Sequence, residues 1–286
     1  MSEHITYGII GNPLTHSLSP LMHNAAFKAL KVDAVYTCFP LKEEEVELFV
    51  KDLRKPDSHI FGLNVTVPYK EKVLVHLDVL TPLVEKIGAV NTIVVTNQKK
   101  LIGYNTDAPG FLAHLAELQF NLRGKQVAIL GAGGSARAIL ATLCMIPDRP
   151  DSVRLYNRTP QRAEQLLEDM QDHIDMSIVE HVNSIDDLDI PHADLLINTT
   201  SLGLNPGDPL LIDESLIHPR LLVYDLIYNP KETPLLKMAR GRGAQVANGL
   251  GMLFYQGVLS FQHWANVQLD ESIKIKMRTA LEKGLK

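Results

Sequence analysis

Three groups of residues in this chain have types and spacings suited to chemistry. The first is Gly131-Ala132-Gly133-Gly134-Ser135-Ala136, which fits G-x-G-x-x-G/A. Alone that pattern says little. Here it follows the apolar run QVAIL and opens a helical segment, the context that makes it a dinucleotide fingerprint. Gly131 permits the tight turn, Gly133 lets the backbone approach a pyrophosphate, and Ala136 keeps helix and strand close. The helix N-terminus adds unpaired N–H groups and a positive dipole end. The second group, Asn157-Arg158-Thr159-Pro160-Gln161-Arg162, ends the next strand. NAD sites place an acid there for the ribose 2′-hydroxyl. An acid would repel a 2′-phosphate, whereas Arg158 can hold one through charge-assisted bonds. Thr159 reads as an N-cap with Pro160 at the first helical position, which puts Arg162 in the first turn beside Arg158. The expected cofactor is NADP; the plainer reading of the two arginines is solvated surface charge.

The third group lies in the first hundred residues. Ser17-Leu18-Ser19-Pro20 precedes a helix, so Pro20 takes the first helical position and Ser19 reads as the N-cap. Ser17 needs another explanation: two hydroxyls two residues apart at a helix start could hold a small carboxylate. Asn64-Val65-Thr66-Val67-Pro68-Tyr69-Lys70 is expected to run from a strand into a helix opened by Pro68. Lys70 would then sit in a first turn, where the macrodipole opposes its charge. On position alone, a lysine used for chemistry and a solvated surface lysine are equally supported. Gly88-Ala89-Val90-Asn91-Thr92 and Gly103-Tyr104-Asn105-Thr106-Asp107 bring amide and carboxylate groups to strand ends. By position alone, Asp107 reads as a cap for the helix starting near Pro109.

These groups need a scaffold. The 286 residues favour two domains. A content of 45% apolar and 21% charged residues is globular and argues against a disordered or fibrous chain. Strand-like runs at 6–10, 34–39, 61–67, 91–96 and 100–104 alternate with helical spacing at 20–31 and 43–54. That alternation predicts an α/β layer with parallel strands. A second series begins near residue 123: strands in QVAILGAGG, SVRLYNRT, DLLINTTS, LLVYDLIY and AQVANG, with helices in SARAILATLCM and PQRAEQLLEDMQ. Residues 110–120 are expected to cross between the units, and the helices from 249 onward to return to the first. The domains are therefore expected at 1–108 with 250–286, and at 109–249. The fold class is α/β, an N-terminal α/β substrate domain plus a Rossmann-like NADP-binding domain, with the site in the cleft between them.

Read together, GNPLTHSLSPLMHN, NVTVPYK, GAVNT, GYNTD, GAGGSARA, NRTPQR, NTTSLG, DLIYNP and NGLGMLFYQ resemble the shikimate dehydrogenase family, in order and over about residues 7–262. The resemblance implies reversible reduction of 3-dehydroshikimate to shikimate with NADPH, within aromatic amino-acid biosynthesis. It implies that Ser17 and Ser19 hold the substrate carboxylate. Asn64, Thr66, Asn91, Asp107, Tyr228 and Gln256 would contact ring hydroxyls or shape the pocket, and Lys70 and Asp107 would form the catalytic pair. It assigns the cofactor to Gly131, Ala132, Gly133, Gly134, Ser135, Asn157, Arg158, Thr159 and Arg162. Thr200, Leu226 and Gly249 would lie near the nicotinamide half, with Met252 packed on it.

Three features depart from the family's usual pattern. Ala108-Pro109-Gly110 follows Asp107, Asn248 replaces a frequent Asp, and Tyr36 resembles the branch that also accepts quinate. The rival readings are a quinate/shikimate dehydrogenase of wider range and a nucleotide-sensing homologue without turnover. A net charge of −5 with no basic stripe disfavours nucleic acid. No apolar run suits a bilayer span and the first residues lack a signal-peptide pattern, so a cytoplasmic protein is expected. Cys38 and Cys144 match no metal spacing and read as buried thiols. The expected partners are small molecules, with a homodimer left open and no metal.

Overall fold

The computed structural model describes residues 5–205 and 207–285. Residues 1–4 and 286 of the expected domain bounds lie outside that range. The chain divides into two compact units, residues 1–110 with 253–284, and residues 111–252 with 285–286.

The first unit contains β1 (Ile5–Gly11), α1 (Ser19–Leu30), β2 (Ala34–Pro40), α2 (Glu43–Asp52), β3 (Ile60–Val65), β4 (Val79–Leu80), α3 (Pro82–Ile87), β5 (Thr92–Val95), β6 (Leu101–Tyr104) and the start of α4 (Asp107–Glu117). Its six-stranded sheet has the order β2-β1-β3-β5-β6-β4. The expectation of an all-parallel layer fails here. β5 pairs antiparallel with both β3 and β6. The reason is the link: five residues join β5 to β6, enough for a hairpin but far too few for a crossover. Lys99 takes the left-handed conformation inside that turn (φ 59°).

The period of two then sorts the side chains. Leu63, Val65, Ile93 and Val95 join Val46 and Val50 of α2 in one apolar core. Asn64 and Thr92, direct register partners, take the opposite face. That face also carries Tyr7 and Tyr36, whose rings pack with His23 and Phe27 of α1 and with Trp264.

The second unit contains β7 (Gln126–Leu130), α5 (Gly134–Met145), β8 (Ser152–Tyr156), α6 (Pro160–Gln171), β9 (Val179–Val182), β10 (Leu195–Asn198), β11 (Leu222–Asp225), α7 (Pro234–Gly241) and β12 (Gln245–Asn248). Every pairing in the order β12-β11-β10-β7-β8-β9 is parallel. Renumbered from β7, that is 6-5-4-1-2-3, the doubly wound Rossmann arrangement. The strand order reverses between β7 and β10. Two helices complete the chain: α8 (Leu250–Ala265), mostly in the first unit, and α9 (Glu271–Gly284), which packs along α1.

An ion pair links α5 to α6: Arg137 donates to Asp169 Oδ2 at 2.6 Å. The Arg137 hydrogen bond holds the Asp169 carboxyl below the usual carboxylate range. A depressed folded value contributes stability above the unfolded value, roughly 3.9, and loses it as pH falls through the folded one. Asp169→Asn is therefore expected to lower Tm near neutral pH, with the gap to wild type closing as pH falls through the folded value. A gap that persists unchanged at acid pH would mean the pair's charge is not what stabilises the helices.

Cys38 and Cys144 are both free thiols; Cys144 is buried, but Cys38 is only half-buried, because it lies on the edge strand β2. Among the described residues, no helix is long and apolar enough to cross a membrane. No cluster of three or more His, Cys, Asp or Glu among them is set to hold a metal ion.

Candidate functional site

Lys70 is not in a helix. Residues 67–73 form turns, closed by Tyr69 N to Thr66 O at 2.9 Å and Val73 N to Tyr69 O at 3.1 Å. Proline suits a turn as well as a first helical position, and here the turn wins. No helix macrodipole therefore opposes the Lys70 charge from its own segment. Its place rests on tertiary contacts: its carbonyl accepts from Val90 N at 2.8 Å, which ties the turn to the segment carrying Asn91. Its Nζ donates to Asp107 Oδ2 at 2.6 Å, and both side chains are about nine-tenths buried.

Asp107 is free for this contact because another residue caps α4. Asn105 Oδ1 accepts from the backbone N–H groups of Asp107 and Ala108, at 3.1 and 3.2 Å. The positional reading of Asp107 as a cap is thus replaced by Asn105. The carboxylate still gains from the positive helix end. Pro109 falls in that first turn, where its missing N–H leaves no intrahelical bond unmade. Gly110 is required by close approach: a Cβ there would lie 2.8 Å from Gln256 N.

Asn91 is the hub between these groups. Its Oδ1 accepts from the Thr106 backbone N–H at 2.7 Å, a contact only an oxygen can make. Its Nδ2 must then face Asp107 Oδ1 (2.9 Å), Thr106 Oγ1 (2.9 Å) and Gln256 Oε1 (3.3 Å). Both Asp107 oxygens are so engaged. Beyond Asn91, the hydroxyls of Thr92, Thr106 and Ser260 form a buried triangle with edges of 2.7, 3.0 and 3.2 Å. Asn64 Nδ2 reaches Ser260 Oγ at 3.0 Å, and Tyr36 donates to Asn64 Oδ1 at 2.7 Å.

One polar network therefore joins Asn64, Lys70, Asn91, Asp107 and Gln256. The sequence reading missed Ser260, Thr92, Thr106 and Asn105. Ser260 had one legible signal: it follows Gln256 by four residues, on the same face of α8.

Ser17 and Ser19 stand at the start of α1. Ser19 is the first helical residue, not the N-cap; Leu18 holds that position and no side chain caps the helix. The nearest substitute is Ser17 Oγ, 3.4 Å from Ser19 N. Ser19 is buried and Ser17 half-buried. Thr66 follows β3, half-buried, and its hydroxyl makes no hydrogen bond among the described residues.

In the second unit, the residues singled out lie in the loops after parallel strands or in the first turns of the helices that follow them. Gly131 takes φ 105°, and a Cβ on it would lie 2.5 Å from Thr199 Oγ1. A Cβ on Gly133 would meet nothing within 4 Å, so the cradle is open to a ligand. Ala132 lies in the loop, and Gly134 and Ser135 open α5, whose N-cap position, Gly133, offers no side-chain cap. Thr159 holds the N-cap position of α6 as read, but its side chain makes no capping bond; Asn157 Nδ2 donates to the Thr159 carbonyl instead, at 2.8 Å. Arg158 and Arg162 are exposed and meet no acidic side chain among the described residues. Thr200 follows β10, Leu226 and Tyr228 follow β11, and Gly249 follows β12 with its backbone against the Leu226 carbonyl. Met252 is buried in the first turn of α8. Asn248 caps that helix, its Oδ1 accepting from Leu250 N at 3.1 Å. An open glycine cradle, an uncapped helix N-terminus and two unpaired arginines fit a 2′-phosphorylated dinucleotide.

Residues 9–93 match the family model for the shikimate dehydrogenase substrate binding domain, and residues 114–203 that for shikimate / quinate 5-dehydrogenase. The chain is 42% identical to the shikimate dehydrogenase (NADP(+)) of Caldanaerobacter subterraneus subsp. tengcongensis over 93% of each chain. The crystal structure of shikimate 5-dehydrogenase from Thermus thermophilus, in complex with NADP(H) and shikimate, superposes with a TM-score of 0.84 at 34% identity, covering 98% of this chain and 100% of that one. Quinate dehydrogenase from Corynebacterium glutamicum, in complex with NAD, gives a TM-score of 0.85 at 28% identity, covering 98% and 99%. The ordered motifs, the two sheets and these likenesses, extending over nearly the whole chain, make one case: this chain belongs to the shikimate dehydrogenase family.

Proposed function

We propose that the protein is an NADP-dependent shikimate dehydrogenase that interconverts 3-dehydroshikimate and shikimate in aromatic amino-acid biosynthesis. The observation that carries this reading is the buried Lys70–Asp107 contact of 2.6 Å, held on the Asn91 hub. The first unit holds the substrate and the second holds NADP. Ser17 and Ser19 take the carboxylate; Asn64, Thr66, Asn91, Asp107, Tyr228 and Gln256 contact or frame the ring hydroxyls.

NADP, when bound, supplies the hydride chemistry at the carbinol carbon. The protein manages the proton. In the reducing direction the Lys70 ammonium gives a proton to the carbonyl oxygen as the hydride reaches carbon. In the oxidising direction the neutral amine takes the hydroxyl proton as the hydride leaves. Asp107 orients Lys70 and the hydroxyl, and Asn91 fixes Asp107. Gly131 to Ser135 bind the pyrophosphate through backbone N–H groups. Arg158 and Arg162 hold the 2′-phosphate, with Asn157 and Thr159 shaping that turn. Thr200, Leu226, Gly249 and Met252 frame the nicotinamide half. Free Cys38 and Cys144 accord with a reducing compartment, and the reading assigns the cytoplasm.

A second reading adds quinate as a substrate, favoured by Tyr36. That residue is 2% exposed and its phenol is bonded to Asn64, so it would act on the pocket through Asn64. Initial rates of NADP reduction with shikimate and quinate test both readings. Turnover of shikimate, with quinate slower, is expected. Folded protein that turns over neither substrate, with NADP or NAD, would refute the enzyme reading and leave a nucleotide-sensing homologue.

A further inference from the structure

Asp225 stands at the carboxyl end of β11, outside the proton-transfer pair and the glycine cradle. It is fully buried. Its Oδ1 accepts from Asn198 Nδ2 at 2.9 Å and from Ile227 N at 3.1 Å, and its Oδ2 accepts from Thr233 Oγ1 at 2.6 Å. No cation pairs with it among the described residues. Burial pushes its carboxyl above the usual range, against the pull of these three donors. A buried carboxyl without a counter-ion is an expensive way to stabilise a sheet.

What Asp225 joins explains its presence. Asn198, at the end of β10, uses its Oδ1 to accept from Thr200 N at 2.9 Å and from Thr200 Oγ1 at 2.7 Å. Thr233 starts α7 and closes the loop that begins with Leu226, Ile227 and Tyr228. One carboxyl therefore fixes the loops after β10 and β11, on one side of the strand-order reversal. The glycine turn and Arg158 lie on the other side, after strands β7 and β8. In a doubly wound sheet the two halves of a dinucleotide lie over the two halves of the sheet.

We propose that Asp225 is a positioning residue for the nicotinamide half of the cofactor site, acting through Asn198 and Thr233 on the loops that carry Thr200, Leu226 and Tyr228. This rests on the reading of the second unit as the NADP site.

The test compares two ligands by titration calorimetry on the full chain: NADP, which spans both halves, and adenosine 2′,5′-bisphosphate, which reaches only the adenosine half. Asp225→Ala is expected to weaken NADP about tenfold, the order for one lost hydrogen bond to a charged group. Affinity for the bisphosphate should stay within about twofold of wild type, a difference a general loss of folding would not produce. Should that variant fail to fold, Thr233→Val removes one donor at constant shape and should show the same split, with Thr233→Ser restoring NADP affinity. Equal losses for both ligands, or unchanged NADP affinity in a folded variant, would overturn the proposal. Wild-type protein that binds neither ligand would instead overturn the reading of the second unit, and this inference with it.

Discussion

Lys70→Ala is expected to cut kcat for shikimate oxidation by ~10²–10⁴, the usual range for a positioned acid–base group. The amine sits 2.6 Å from Asp107 in a setting about nine-tenths buried, so water is a poor substitute for it. NADP affinity should barely move, because the glycine turn belongs to the other unit. Asp107 keeps its bond from Asn91 and its place at the start of α4, so the variant should still fold, with a lower Tm because a buried carboxylate loses its cation. The measurement is kcat beside an NADP titration and a melting curve. A kcat within about threefold of wild type, with normal binding, would exclude Lys70 as the proton carrier.

Arg158→Ala should raise KM for NADP by about 10- to 150-fold, the range for losing one charge-assisted bond of roughly 1.5–3 kcal/mol. NAD, lacking the 2′-phosphate, should be little affected. The structure makes this substitution clean: Arg158 is exposed and meets no acidic side chain among the described residues, so its removal disturbs little else. Parallel steady-state assays with the two cofactors decide the matter. Equal losses for both would mean that Arg158 supports the turn and does not select the phosphate.

Much of the second unit was legible because its signals are local. The strand at Gln126–Leu130, the glycines after it and the helix at Pro160–Gln171 each follow from short-range pattern. The first unit was harder. Proline marked a boundary at Pro68 correctly, but the same residue type suits a helix start and a turn, and only tertiary contacts choose between them. At the start of α1 the choice failed by one residue: Leu18, not Ser19, holds the N-cap position. Asp107 looked like a cap until Asn105 proved to supply one. The hydroxyls of Thr92, Thr106 and Ser260 meet across separations of 14 to 168 residues, which no local pattern reports. Catalytic residue types could be read from the chain; the network that orients them had to be seen folded.

In the proposed reaction a hydride passes between shikimate and NADP while Lys70 handles the proton. A single-turnover experiment tests it most directly: enzyme loaded with NADP is mixed with shikimate in stopped flow, and NADPH absorbance is followed for wild type and Lys70→Ala. NADPH is expected to form in wild type, and at a rate slower by ~10²–10⁴ in the variant at the same NADP occupancy. No NADPH from NADP-loaded wild type, or equal rates in the two proteins, would contradict it.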